Sequence, residues 1–457
     1  MAIILGIEST CDETAAAVVV DGFDVRSNVV ASQVELHSRY RGVVPEIASR
    51  AHIENILPVL REATDFLPLH ERPVLPPLPP GEVSGISDCP RSGRGEGERQ
   101  APTSSQQSLN LKSQISDLKS EISNAQLNQG SRLSIPLTPA LSRSAGSVQA
   151  RRERGQNAGL SQIDAIAVAY RPGLIGSLLI GVTAAKTLAW ALGKPLIGVD
   201  HVHAHLYSVV LESNQQPPMP AVGLVCSGGH TALYHVKNWF DVTLIGSTID
   251  DAVGEAYDKV AAILNLGYPG GPVIDRLAAT GDPAAIKFPR TLLDRDSLDF
   301  SFSGLKTAVL YHVRGVPRRG EHVKSEPTPQ LSTGELANIA AGFQAACIDV
   351  IAEKLRRAVA KVGARSVIVG GGVSANQGLR AAMKRFGLPV FFPPMRYCTD
   401  NAAMSAGLAQ IYYDRGAFSD LSLDAITFSQ FIAGTPNPTA YVIHAMPLTT
   451  RRGRNGR

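Results

Sequence analysis

The chain has only five cysteines in 457 residues, Cys11, Cys89, Cys226, Cys347 and Cys398, and no two of them form a C-x-x-C pair. A set that is odd in number and scattered offers no disulfide framework and fits reduced thiols in the cytoplasm. Seamless runs of about 18 apolar residues are also lacking, so neither a membrane span nor a membrane partner is expected. The opening "MAIILGIESTCDE" has no basic flank, is short for a secretory signal and meets Glu8 at once, so it reads as a first buried strand. Neither sign of charge is in large excess. A net charge of +4 neither demands nor excludes a polyanionic partner, which would need a local basic patch. What is present is 44% hydrophobic and 18% charged residues, the composition of a soluble globular protein with room for about two to three domains.

One break in composition divides the chain. Residues 67–159 turn to Pro, Ser, Gly, Gln and Arg, as in "PVLPPLPPGEVSG" and "SGRGEGERQAPTSSQQ", and such a segment cannot bury a core. It reads as a disordered insertion without a catalytic role, in which "LNLKSQISDLKSEISNAQLN" has the spacing of a short amphipathic helix. The remainder alternates strands and helices. "IILGI", "ETAAAVVV" and the stretch after an Asp21-Gly22 turn predict a β-meander, and "PEIASRAHIENILPVLREA" predicts a helix. "IDAIAVAY", "IGSLLIGVTAAKTLAWAL", "PLIGVD" and "HAHLYSVVLES" then alternate strand and helix. Near Met219 the pattern restarts with "PAVGLVCSGGHTALYHV" and "DVTLIGSTIDDAVGEAYDKVAAIL". Two such α/β lobes facing each other define the actin-like ATPase and sugar-kinase architecture. The expected organisation is an N-terminal lobe over 1–66 and 160–216, a C-terminal lobe over 217–400, a helix and return over 401–440, and a basic tail over 441–457.

Several stretches carry chemistry. "GIESTCDET" ends a strand in a turn rich in hydroxyls, with Asp12 and Glu13 close behind; it suits phosphates, or is a capped hairpin approach. In "CSGGHT", Gly228 and Gly229 let backbone N–H groups approach a ligand, although a plain β-turn uses the same pair. "GGGVSANQGLR" follows a strand and opens a helix, so its free amides suit a phosphate or ribose, with Asn376 bonded to the ligand; a junction without ligand is the alternative. In "STIDDAVGEAYDKVA", Thr248 and Asp251 resemble a capping box. That places Asp251, Glu255 and Asp258 on one helix face, either solvated or in need of cationic partners. "GYPGGPVID" adds a glycine turn and Asp275. In "DHVHAHLYSVV", a helix starting near Asp200 puts His201 and His205 on one side and His203 elsewhere, the spacing by which two imidazoles reach one metal. A third ligand is then needed, and Asp400 in "YCTDNAAMSAG" is a candidate.

Taken in order, these stretches with "GVVPEIASRAH" and "DFSFSGLKTAV" resemble the TsaD family of tRNA threonylcarbamoyladenosine synthases, over nearly all the chain outside the insertion and tail. The resemblance implies the two-lobe actin-like fold and transfer of a threonylcarbamoyl group from threonylcarbamoyl-AMP to N6 of the adenosine beside the anticodon, in tRNAs reading codons that begin with adenine. It implies one divalent metal on His201, His205 and Asp400, with Fe2+ the usual assignment and Zn2+ the alternative. It places substrate contacts on Val225, Cys226, Ser227, Gly228, Gly229, Asp258, Gly271, Asp275 and Asn376. As partners, besides tRNA, it implies a related non-catalytic paralogue (TsaB-like) and a small ATPase (TsaE-like). An activated mixed anhydride needs no Ser or Cys nucleophile, but a weakly nucleophilic adenine amine needs a base, for which Asp12 and Glu13 are the candidates. The chain departs from the family in its insertion and in "AYRPGLIG", a shortened form of the usual Ala-Gly-Pro-Gly-Leu stretch. Rival readings are a small-molecule kinase of the same fold, which needs no histidine pair, and a metallopeptidase. The second would want His-Glu-x-x-His, whereas Val202, His203 and Ala204 intervene here.

Overall fold

The computed structural model describes residues 1–40, 42–65, 160–316 and 330–428. The insertion with its amphipathic stretch, and the basic tail, lie outside the described residues.

Strand β1 (Ile3–Glu8) pairs antiparallel with β2 (Glu13–Val20), which pairs antiparallel with β3 (Asp24–Ser32). Asp21 and Gly22 join β2 to β3 with positive φ at both positions, as a tight hairpin turn requires. After helices α1 (Val34–Ser38) and α2 (Pro45–Thr64), strand β4 (Ala165–Arg171) lies parallel to β1. Helix α3 (Ile175–Leu192) then leads to β5 (Leu196–Asp200), parallel to β4, and to α4 (His201–Tyr207). The first sheet therefore has the order β3-β2-β1-β4-β5. Its central strands are apolar at successive positions because both faces are covered. Leu5, Ile7, Ala16 and Val18 pack under α2 and α3, while Ile4, Ala15, Ala17 and Val19 face the opposite layer.

The second lobe repeats the plan. Strands β6 (Ala221–Cys226), β7 (Thr231–Asn238) and β8 (Asp241–Ser247) form the meander, followed by α5 (Val253–Ile263), α6 (Gly270–Ala278), α7 (Ser303–Arg314) and α8 (Thr333–Val362). Strand β9 (Ser366–Gly370) lies parallel to β6, and after α9 (Gln377–Met383) comes β10 (Val390–Phe391), parallel to β9. The order β10-β9-β6-β7-β8 is the first sheet's order again, with the same strand polarities. Two copies of this sheet constitute the actin-like architecture expected from the sequence.

Helix α10 (Ala402–Tyr413) returns the chain to the first lobe. Its small side chains allow close approach to β1: a Cβ on Gly6 would stand 2.5 Å from the carbonyl of Ala402. Helices α3 and α8 are, against expectation, long and apolar enough by length and composition to cross a membrane. Single polar residues such as Lys186 interrupt the α3 run without lowering its mean hydropathy far, so the helix is apolar on average although its sequence is not seamless. Both pack on sheets: α3 buries Leu178, Val182 and Ala185 under the first, and α8 buries Ile339, Phe343 and Val350 in the second lobe's core.

Candidate metal centre

The centre is assembled where α4 leaves β5. Asp200 ends the strand, is buried, and caps the helix by accepting the amides of Val202 at 3.0 Å and His203 at 3.1 Å. Its second oxygen pairs with the buried Arg171 at 3.2 Å. With the helix start so fixed, the 3.6-residue period sets the side chains. His201 and His205 lie one turn apart with ring centroids at 4.6 Å, nearly edge to face. His203 turns away, is buried, and lies 6.4 Å from the Trp239 ring. Burial, and then the charge of Arg171, push its pKa down to about 3, so it is a neutral core imidazole at physiological pH.

Asp400 arrives from the far end of the chain, just before Asn401 caps α10 by accepting the amide of Met404. One Asp400 oxygen is 3.0 Å from Nε2 of His205 and 3.6 Å from Nε2 of His201, and the three potential ligand atoms lie within 4.8 Å of one another. Ligands about 2.1 Å from one ion are separated by about 3.0–3.5 Å along an edge of its coordination shell, which the two carboxylate–imidazole separations of 3.0 and 3.6 Å approach. Two imidazoles and a carboxylate suit zinc or ferrous iron and leave positions open for substrate. On the far side of the His201 ring, Nδ1 lies 3.2 Å from Glu8 and 3.2 Å from the Thr10 hydroxyl. Burial opposes charge on His201, but Glu8 and Asp400 outweigh it and push its pKa up to about 9. Burial likewise opposes charge on Asp400, and His201 and His205 outweigh it, holding the carboxyl well below the ordinary range.

Beside the centre, the turn after β1 carries Asp12 and Glu13. Burial, then the charges of Asp400 and Asp12, raise the Glu13 carboxyl well above the ordinary range, and Ser32 donates to it at 3.3 Å. Asp258 of α5 accepts the amide of Gly270 at 2.7 Å and is bonded by that of Gly271; burial nevertheless raises its pKa. Asp12 lies within electrostatic reach of both Asp258 and Tyr268, so residues of the two lobes face one cleft.

The glycine stretches divide between open and packed positions. Ser227 donates its amide to the carbonyl of His230 at 2.8 Å and accepts the His230 amide at 3.1 Å, which closes a tight turn around Gly228 and Gly229; nothing stands within 4 Å of a Cβ on either. Gly271 is equally open. Val225 and Cys226 are buried at the end of β6, and burial raises the Cys226 thiol. Other glycines do the packing, among them the first of the "GGGVSANQGLR" stretch. A Cβ on Gly254 would be 2.4 Å from the carbonyl of Ser227, and one on Gly370 would be 2.3 Å from the carbonyl of His205.

Asn376 is held by the protein itself at the start of α9. Its carbonyl oxygen caps α9 through the amide of Leu379 at 2.8 Å, and its amide donates to Gln344 at 2.8 Å. Asp275 joins this network, accepting Gln344 at 3.0 Å and the amide of Gln377 at 2.9 Å. The expected capping box at Asp251 does not form. Thr248 donates to the carbonyl of Asp251 at 2.8 Å, the helix starts at Val253, and Asp251 is held by Lys259 at 2.6 Å and Lys306 at 2.9 Å. Glu255 also pairs with Lys259, so lysines, one of them on α7 and far away in sequence, neutralise Asp251 and Glu255. In the shortened stretch, Gly173 and Leu174 still meet the Thr10 carbonyl, which accepts the Leu174 amide at 2.8 Å.

Compared with known proteins, residues 24–71 and 153–407 match the family model described as TsaD: tRNA N6-adenosine threonylcarbamoyltransferase. A protein of that name from Moorella thermoacetica is 41% identical over 93% of this chain and 95% of its own length. Proteins of the same name from Trichlorobacter lovleyi, 40% identical over 93% of this chain and 95% of theirs, and Desulforapulum autotrophicum, 38% identical over 94% and 100%, are similarly related.

Proposed function

Because the chain belongs to the TsaD family of tRNA N6-adenosine threonylcarbamoyltransferases, we propose that it moves the threonylcarbamoyl group of threonylcarbamoyl-AMP onto N6 of the adenosine beside the anticodon, in tRNAs reading codons that begin with adenine. The observation that carries this reading at the site is the convergence of His201, His205 and Asp400 beside Glu13 at a cleft shared by both lobes. A divalent ion held there, Fe2+ in the first instance, supplies Lewis-acid stabilisation of charge developing on the anhydride. The chain's own groups do the rest. The amides of Gly228 and Gly229, at the tip of the turn closed by Ser227 and His230, approach the phosphate or carboxylate of the donor. Glu13, with its raised pKa, is a stronger base than an ordinary carboxylate and takes the N6 proton as the amine attacks, with Asp12 alongside. Attack forms the N6–C bond and breaks the bond from the carbamoyl carbon to the phosphate oxygen, so AMP leaves.

The buried thiols of Cys226 and Cys347, with pKa values raised by burial, are poor nucleophiles, in keeping with direct transfer. Asp258 and Gly271 line the donor's side of the cleft in this reading, and Asp275 and Asn376 support it through the start of α9. The related paralogue would dock on the exposed apolar residues Ile53 and Leu57 of α2 and Ile175 and Leu179 of α3, which adjoin where Ser49 meets Gly176. The small ATPase completes the assembly, and the cytoplasm is its place. The test supplies the whole chain with purified threonylcarbamoyl-AMP, tRNA, ATP and the partner proteins. Modified nucleoside in the digested tRNA is expected; none, from folded and metal-loaded protein, would overturn the reading.

A further inference from the structure

Glu8 is fully buried at the end of β1, where a charged side chain is costly unless donors surround it. Each of its contacts is to a donor. Oε1 accepts the amide of Thr10 at 3.0 Å, and Oε2 accepts the Ser405 hydroxyl at 3.2 Å and faces Nδ1 of His201 at 3.2 Å. Those donors come from three places, the turn after β1, helix α10 and helix α4, so the carboxylate is fixed from several sides. Nδ1 also lies 3.2 Å from the Thr10 hydroxyl, which can either donate or accept, whereas the carboxylate can only accept; a lone pair on Nδ1 would be repelled by the carboxylate, and a proton there is bonded. With the proton on Nδ1, the lone pair of the ring sits on Nε2, the atom that faces Asp400. His205 has no such arrangement, because its buried Nδ1 has no hydrogen-bond partner among the described residues.

We propose that Glu8 is a positioning residue of the metal centre, holding His201 in its Nδ1–H form with Nε2 aimed at the position shared with His205 and Asp400. The proposal rests on the metal reading of those three residues and extends it to a residue that touches neither ion nor substrate. A carboxylate bonded behind a ligating imidazole orients the ring and raises its donor strength, and its loss costs about 10–100-fold in metal affinity. Glutamine is the discriminating replacement. Both oxygens of Glu8 act as acceptors, so an amide of the same shape must set its N–H2 against either the Thr10 amide or the His201 Nδ1–H.

The experiment measures Zn2+ affinity of the whole chain by competition with a chromophoric chelator, with circular dichroism as the check on folding. Glu8→Gln is expected to bind Zn2+ about 10–100-fold more weakly than wild type, and Ser405→Ala, which leaves the contact to His201 intact, within about threefold of it. In parallel, 15N spectra of the wild-type chain loaded with 113Cd2+ are expected to show cadmium coupling at Nε2 of His201 and a proton on Nδ1, a readout that does not depend on any variant folding. Equal Zn2+ affinity for folded Glu8→Gln, or coupling at Nδ1 instead of Nε2, would overturn the role of Glu8 while leaving the metal site standing. No Zn2+ uptake by wild type would overturn both.

Discussion

His201 sits between the carboxylates of Glu8 and Asp400, His205 faces Asp400 alone, and His203 is buried beside the Trp239 ring near the charge of Arg171. The same residue type therefore has different jobs within one helical turn. Truncating His201 or His205 to alanine removes one of three ligands, and each variant should lose Zn2+ or Fe2+ binding by at least about 100-fold while remaining folded. His203→Ala should keep the metal but leave a hole under Trp239, lowering stability by about 2–4 kcal/mol as large-to-small core changes do. Metal content per chain and thermal melts separate the two outcomes; loss of metal from His203→Ala would contradict the placement of the ligands. At the base position, Glu13→Gln should slow transfer from purified threonylcarbamoyl-AMP by about 100-fold or more. If that variant and Asp12→Ala both transferred at the wild-type rate, neither carboxylate would be the base. The spacing of His201 and His205 was legible because a helix repeats every 3.6 residues wherever it lies. Glu8 was not, because a charge after an apolar strand looks like the strand's solvent-exposed end, and nothing local indicates that the end of β1 meets the first turn of α4.

Helix starts account for much of what the element scale adds. Asp200 caps α4, Asn401 caps α10 and Asn376 caps α9, so the residues next to the chemistry are also those that fix where each helix begins. Asn376→Ala removes a cap and its bond to Gln344, and should cost about 1–2 kcal/mol of stability, read in a thermal or urea melt. A variant with native stability and a raised KM for donor would instead make Asn376 a ligand contact. Asp251 illustrates why such positions are hard to read. Thr248, Asp251 and the following apolar run have capping-box spacing, yet Lys306 on α7 and Lys259 draw the carboxylate outward, and Ala252 occupies the cap position. Burial raises the Asp251 carboxyl, but hydrogen bonds and charge from Lys259 and Lys306 outweigh it, so its folded pKa is lowered. Its contribution is therefore present above the unfolded value near 3.8 and is lost as pH falls through the lower folded value. Asp251→Asn should be less stable than wild type by about 1 kcal/mol at pH 7, with the difference closing towards pH 2. At the start of helix α8, Ser332 and Glu335 form a capping box, the local signal that Thr248 and Asp251 only imitate.

At the scale of the molecule, the sheet order repeated in both lobes was legible as recurring meanders, because buried strands and hairpin turns leave local patterns. How the lobes meet was not, since it depends on backbone-to-backbone approaches such as Gly370 against His205. The metal ligands straddle this junction. His201 and His205 precede the crossing from the first lobe to the second, and Asp400 follows the crossing back. The crossings are also tied to each other, since Glu212 on the outward one accepts the Tyr397 hydroxyl at 2.6 Å and pairs with Arg396 on the return. An ion bound by all three ligands therefore links the two passages, and it binds the folded chain far better than an unfolded one in which the ligands are widely separated. At free metal about 100 times its Kd, that linkage amounts to about 2.7 kcal/mol of stability, a rise of several degrees in melting temperature for a chain of this size. Chelation with a metal-specific ligand should remove the increment, and readdition of Zn2+ or Fe2+ should restore it. Asp400→Asn, which keeps the side chain's shape and gives up the charge, should melt at the same temperature whether or not metal is present. A melt of the wild-type chain that ignores both chelator and metal would show that the three ligands do not hold an ion across the junction.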